Sequence, residues 1–141
     1  PITIQNTWIL SGHQNHCSLK TVAVTMDDGA GKTPLYLELT NSAWMIQTKS
    51  DIDSTYPDTG LFLSNGTHIP LESVVKDTKI AITKQKQQLT DALKTAESVR
   101  VALGFWPTWP VTETRSQTIP VAHFPQAYAA WETCNQRITA R

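Results

Sequence analysis

His13, His16 and Cys17 stand within one H-x-x-H-C cluster. Imidazole nitrogen and thiolate sulfur are good ligands for zinc or copper, and a cysteine beside a histidine is also the pair from which a thiolate nucleophile is built. The metal reading needs a fourth ligand. His68, His123 and Cys134 are the remaining histidines and cysteine, and no second paired motif supplies one. The hydrolytic reading needs a carboxylate brought beside the pair. No G-x-S-x-G elbow offers a serine alternative. The competing reading is a polar loop leading into a disulfide, in which Cys17 has no thiolate to give.

Gly29-Ala30-Gly31-Lys32-Thr33 looks like the end of a phosphate-binding loop. The complete pattern places a glycine five residues before Gly31, where Met26 stands, and continues into a helix whose N-terminus faces the anion. Pro34-Leu35-Tyr36-Leu37 reads as a strand instead, so the segment is expected to be a hairpin turn and no nucleotide or other cofactor is implied. Asn65-Gly66-Thr67 is formally a glycosylation sequon, but a turn accounts for it. Trp106, Trp109, Tyr128 and Trp131 offer large rings with a polar handle, which could form a binding face, although a cap on the core beneath the last helix is the preferred reading of the set.

With 141 residues, the chain has the length of one domain, able to bury roughly 70% of its unfolded surface. Twelve basic and twelve acidic residues cancel, and the charged share is 17%, below the roughly 25% of ordinary domains. Neither a nucleic acid nor an anionic membrane surface is the implied partner. The polar surface must come from Thr, Ser, Gln and Asn, a composition compatible with exported bacterial proteins. Apolar runs are far shorter than the roughly 20 residues of a spanning helix, so no transmembrane segment is expected. The chain opens on Pro1, so any export leader is expected to precede it. Cys17 and Cys134 lie near opposite ends, and an even count in a small, export-suited chain favours one disulfide. Closing so long a loop stabilises a fold by up to about 5 kcal/mol. Two unpaired thiols in a cytosolic protein are the alternative.

These residues have to be held by something, and the stretch 79–105 reads strand, helix, strand. Leu89, Ala92, Leu93, Ala96 and Val99 recur at helical spacing, predicting about three turns with one apolar stripe. Ile80 and Ile82 before it, and Val99, Val101, Leu103 and Phe105 after it, alternate at the period of a strand. Earlier strands are expected over 7–10, after a loosely held terminus, over 18–26, and at 35–40 and 44–46. Segment 27–34 reads as a turn and 49–59 as an exposed loop. Asn65-Gly66 predicts a two-residue hairpin with both residues at positive φ, and Pro70 confines the returning strand to an edge. Segment 112–121 reads as a polar edge strand. Pro125 opens a final helix in which Phe124, Tyr128, Trp131 and Ile138 follow helical spacing. The expectation is one α+β domain over 1–141, a mainly antiparallel, curved sheet of about six to eight strands with one central and one C-terminal helix.

A tryptophan-bearing first strand (Trp8), a cysteine at the second (Cys17), the run Leu89-Thr90-Asp91-Ala92-Leu93-Lys94-Thr95-Ala96-Glu97-Ser98-Val99 leading into a strand, and the closing Phe124-Pro125-Gln126-Ala127-Tyr128-Ala129-Ala130-Trp131-Glu132-Thr133-Cys134 occur in an order that resembles small exported bacterial proteins of the invasion-associated locus B type and related periplasmic proteins. The resemblance implies a periplasmic or secreted, non-catalytic accessory protein of the bacterial envelope, and it carries no functional residues with it. The expected function is therefore protein binding, the partner another envelope protein. The contact is expected at Trp106, Trp109, Thr112 and Arg115, where indoles, prolines and an edge strand coincide. A small cysteine- or metal-dependent enzyme using His13, His16 and Cys17 is the alternative.

Overall fold

Gln5 and Asn6 both take positive φ, 52° and 53°, and fold β1 (Ile2–Ile4) back onto β2 (Trp8–Gly12), so that Ile2 faces Leu10 and Ile4 faces Trp8. The terminus expected to be loose is thus one arm of a hairpin. The computed structural model in which this is seen describes residues 1–108 and 113–140. The strand expected over 18–26 is divided into β3 (Cys17–Thr21) and β4 (Val24–Asp27), which pair with different parts of β5 (Lys32–Leu39). At the break the buried Thr21 hydroxyl accepts the Leu37 amide at 3.0 Å, replacing a ladder bond. The apolar residues on both faces of this segment reflect that break.

The chain continues through β6 (Trp44–Gln47), β7 (Ile52–Asp53), β8 (Gly60–Leu63), β9 (His68–Ile69), β10 (Ser73–Lys76) and β11 (Lys79–Ile82) to α1 (Lys86–Leu93), β12 (Ser98–Phe105), β13 (Arg115–Pro120) and α2 (Phe124–Thr139). Eight strands form one sheet in the order β1-β2-β3-β5-β6-β11-β10, with β4 also on β5. Five form a second in the order β13-β12-β8-β9, with β7 also on β12. All pairings among the described residues are antiparallel. The α+β class with a central and a C-terminal helix is as expected. The strands outnumber the expected six to eight because turns and bulges cut several of them to two to four residues.

Three local expectations change. The central helix has eight residues and stops at Leu93, and Val99 belongs to β12, because the period of two that begins there governs the backbone before the helical spacing runs out. The Asn65-Gly66 hairpin closes as a three-residue loop. Leu63 N–H donates to Thr67 O at 2.9 Å, and in this loop only Gly66 has positive φ, 92°, so one left-handed position suffices. Segment 49–59, read as exposed, contains buried Ile52, Asp53 and Tyr56.

A single apolar core runs through both sheets and both helices. Trp8, Trp44 and Phe124 form its aromatic centre, with ring centroids 5.1 to 6.3 Å apart. Burying an indole leaves its N–H in need of an acceptor. Trp8 finds Ala122 O, Trp44 finds the Thr90 hydroxyl on α1, and Trp131 finds Cys17 O, each at 2.9 Å. Three buried tryptophans therefore act as three long-range ties. No helix among the described residues is long and apolar enough to cross a membrane.

Candidate functional site at the Trp106 corner

β12 delivers Phe105 into the core, fully buried, and then turns, so the next residue leaves it: Trp106 is 56% exposed at the start of a short 3-10 turn. The corner is held from beneath by 49–59. Ile52 and Asp53 pair with Phe105 and Gly104, the Trp106 amide donates to Asp51 O at 3.0 Å, and the Tyr56 hydroxyl donates to Phe105 O at 3.0 Å. Gly104 is required here, since a Cβ at that position would stand 2.1 Å from the Tyr56 ring. An exposed indole mounted on an anchored backbone loses little freedom when a partner covers it.

Arg115 begins β13 opposite Leu103, at the same end of the sheet as Trp106. Its Nε is buried with no hydrogen-bond partner among the described residues. β13 is the last strand of its ladder, but β4 runs along it with Cα atoms within 8 Å. A strand inserted between the two would need about 9.6 Å, twice the spacing of paired strands. The backbone of β13 thus has no room for an added strand where β4 flanks it, and the indole is the stronger feature of this corner. Trp109 and Thr112 lie outside the described residues. Of the other aromatic candidates, Trp131 is buried and Tyr128 half-buried against it, centroids 5.5 Å apart. Burial, then the neighbouring Glu132 charge, raises the Tyr128 phenol above its ordinary pKa.

The H-x-x-H-C cluster occupies the hairpin between β2 and β3. His13 N–H donates to His16 O at 2.8 Å, and the two rings stack with centroids 4.7 Å apart. Cys17 is buried and joined to Cys134, with Cα atoms 6.1 Å apart, so its sulfur is not available as a thiolate. The other histidines are elsewhere: His68 stacks on Phe62 at 4.3 Å, and His123 precedes α2 in the left-handed conformation. Among the described residues no three His, Cys, Asp or Glu side chains converge as a metal site would require. Gly29, Ala30 and Gly31 lie in the hairpin turn between β4 and β5, and Lys32 and Thr33 already belong to β5. Asp28 accepts from the Ala30 and Gly31 amides at 2.8 and 2.7 Å, filling with a carboxylate the place a phosphate would take. Asn65 of the sequon donates from Nδ2 to Ala92 O and to the Thr95 hydroxyl at 2.9 and 2.8 Å, which commits its amide to the end of α1.

Of the residues that position Trp106, Asp51, Ile52 and Tyr56 are those missed by reading 49–59 as exposed, while Gly104 lies in the strand expected to end at Phe105. The usable signal was Ile52 and Tyr56 themselves, two large apolar side chains in an otherwise polar stretch. Comparison with family models, curated proteins and solved structures found no match.

Proposed function

We propose that the protein is a non-catalytic binding module of the bacterial envelope, periplasmic or secreted, and that it holds another envelope protein through Trp106. The observation that carries this reading is the exposure of that indole. Trp8 and Trp44 are fully buried and Trp131 is 8% exposed, whereas Trp106 is 56% exposed on a backbone fixed from below. Tryptophan is enriched among the few residues that carry interface energy, and a neutral chain gains little from long-range steering and relies on such local anchors. The disulfide between Cys17 and Cys134 supports an oxidising compartment, and it removes the thiolate that the cysteine-enzyme alternative requires.

The test is a photo-crosslinking residue at position 106, expressed in a bacterial envelope, beside Trp106→Ala in the otherwise unaltered chain. Because the indole is largely outside the core, Trp106→Ala is expected to change stability by no more than about 0.5 kcal/mol, while binding of the crosslinked protein falls by about tenfold or more. A fall of many degrees in melting temperature would make the indole structural, and undiminished binding would remove it from the interface. Either result overturns the reading.

A further inference from the structure

Between the first hairpin and the flank of α2 lies a groove of about 700 Å3, within the roughly 300–1,000 Å3 of small-molecule sites. Ile2 and Leu10, opposite one another on the β1–β2 ladder, line one side, and Ala130, Cys134 and Ile138 line the other. Ile2 is 64% exposed, an apolar side chain standing at a groove rather than under a neighbour. Into the same space α2 presents Thr133 and Arg137, four residues apart and so one above the other on the helix surface. The ion pair among the described residues is Lys94 with Asp91, which leaves the Arg137 guanidinium without a carboxylate. Glu132, the nearby acid of α2, is on the other flank with Tyr128. His13, also at the groove, is engaged with the Ser18 hydroxyl at 3.1 Å.

A cation in the last turn of a helix complements the helix dipole, which explains an arginine near residue 137 but not one that lines an apolar groove. We propose that this groove binds a small amphiphile ending in a carboxylate, of the medium-chain fatty acid class. The apolar body covers Ile2, Leu10 and Ile138, and the carboxylate takes both forks of Arg137 and the Thr133 hydroxyl. A guanidinium matches a carboxylate in planar, two-bond geometry, and burial of the chain supplies the remaining affinity. The site shares no residue with the Trp106 corner.

Calorimetric titration with decanoate below its micellar concentration, and with decanol below its solubility limit, tests this on the disulfide-bonded protein. Decanoate is expected to bind one per chain, and decanol, of equal length without the charge, about tenfold more weakly or less. Arg137→Gln, at an exposed position, should lower decanoate to the level of decanol with an unchanged melting temperature. Ala130→Phe, which fills the groove, should remove both, and Trp106→Ala should bind decanoate as the parent does. No binding of decanoate, equal binding of the two ligands, or an Arg137→Gln variant as tight as the parent would overturn the proposal.

Discussion

Asp28 shows how much one side chain can organise. It is 7% exposed, and its carboxylate accepts from the Ser50 hydroxyl as well as from the Ala30 and Gly31 amides. The Ser50 hydrogen bond, with the backbone amides behind it and against the opposing effect of burial, holds its pKa below the ordinary 3.8. A carboxyl whose folded pKa is depressed contributes stability in full above the unfolded value and loses it as pH falls through the folded value. Asp28→Asn, which removes the charge, is therefore expected to cost about 1–3 kcal/mol near neutral pH. The difference from the parent should begin to narrow as the pH falls below 3.8, the ordinary value, and should close only as it passes through the depressed folded value. Urea melts of both proteins on either side of that pH check it, and a difference that persists in acid would mean that packing rather than ionisation is at stake. The Gly29–Thr33 segment was legible as a turn, since Met26 and the following strand exclude a phosphate loop. Its carboxylate anchor was not, because Ser50 is distant in sequence.

At the scale of the element, α1 is short and poorly equipped to start itself. Gln85 at its N-cap makes no side-chain capping bond. The missing acceptor comes from Glu72, whose carboxylate accepts the amides of Thr83, Lys84 and Gln85, each at 3.0 Å, and the Thr83 hydroxyl at 3.1 Å. Desolvation raises the Glu72 pKa, but these hydrogen bonds together outweigh it and hold the carboxyl below its ordinary 4.5. A negative charge here also suits the positive end of the helix. Glu72→Gln should cost about 1–2 kcal/mol. It should also speed amide exchange at Thr83, Lys84 and Gln85 while leaving the amides of β12 protected, because the lost contacts are local. Equal acceleration throughout both segments would show that Glu72 supports the whole fold rather than this terminus. The helix itself could be found from its apolar stripe, but a cap supplied from eleven or more residues away leaves no mark in a local pattern.

For the whole molecule, the decisive link is between the two ends of the chain. Cys17 and Cys134 close a loop with a sequence separation of 117, and a cross-link of that span removes denatured-state entropy equivalent to roughly 4–5 kcal/mol. The same strand position is tied to α2 twice more, by the Cys17 amide on Asn135 Oδ1 and by the Trp131 indole on Cys17 O, both at 2.9 Å. Replacing both cysteines by alanine is therefore expected to lower unfolding stability by about 2–5 kcal/mol. The helix should stay docked, so the near-ultraviolet circular dichroism from Trp131 is retained without denaturant. An unchanged urea midpoint would deny the cross-link its role, and loss of that signal would mean that the hydrogen bonds cannot hold α2 alone.

Local periodicity by itself determined the strand-rich α+β character, the central and final helices, and the hairpin at Asn65-Gly66, because a backbone responds first to the residues within a turn or two of each position. The pairing of Cys17 with Cys134 was also within reach, since two cysteines admit one intramolecular bond. Tertiary structure decided what depends on residues far apart in the chain. It broke the segment over 18–26 where Thr21 bonds to Leu37, buried Tyr56 against Gly104 and brought β4 alongside β13. It also separated the tryptophans, placing Trp106 outside and Trp131 inside. Whether an indole is core or surface depends on the volume its neighbours leave for it once the sheets have packed, and no spacing along the chain encodes that.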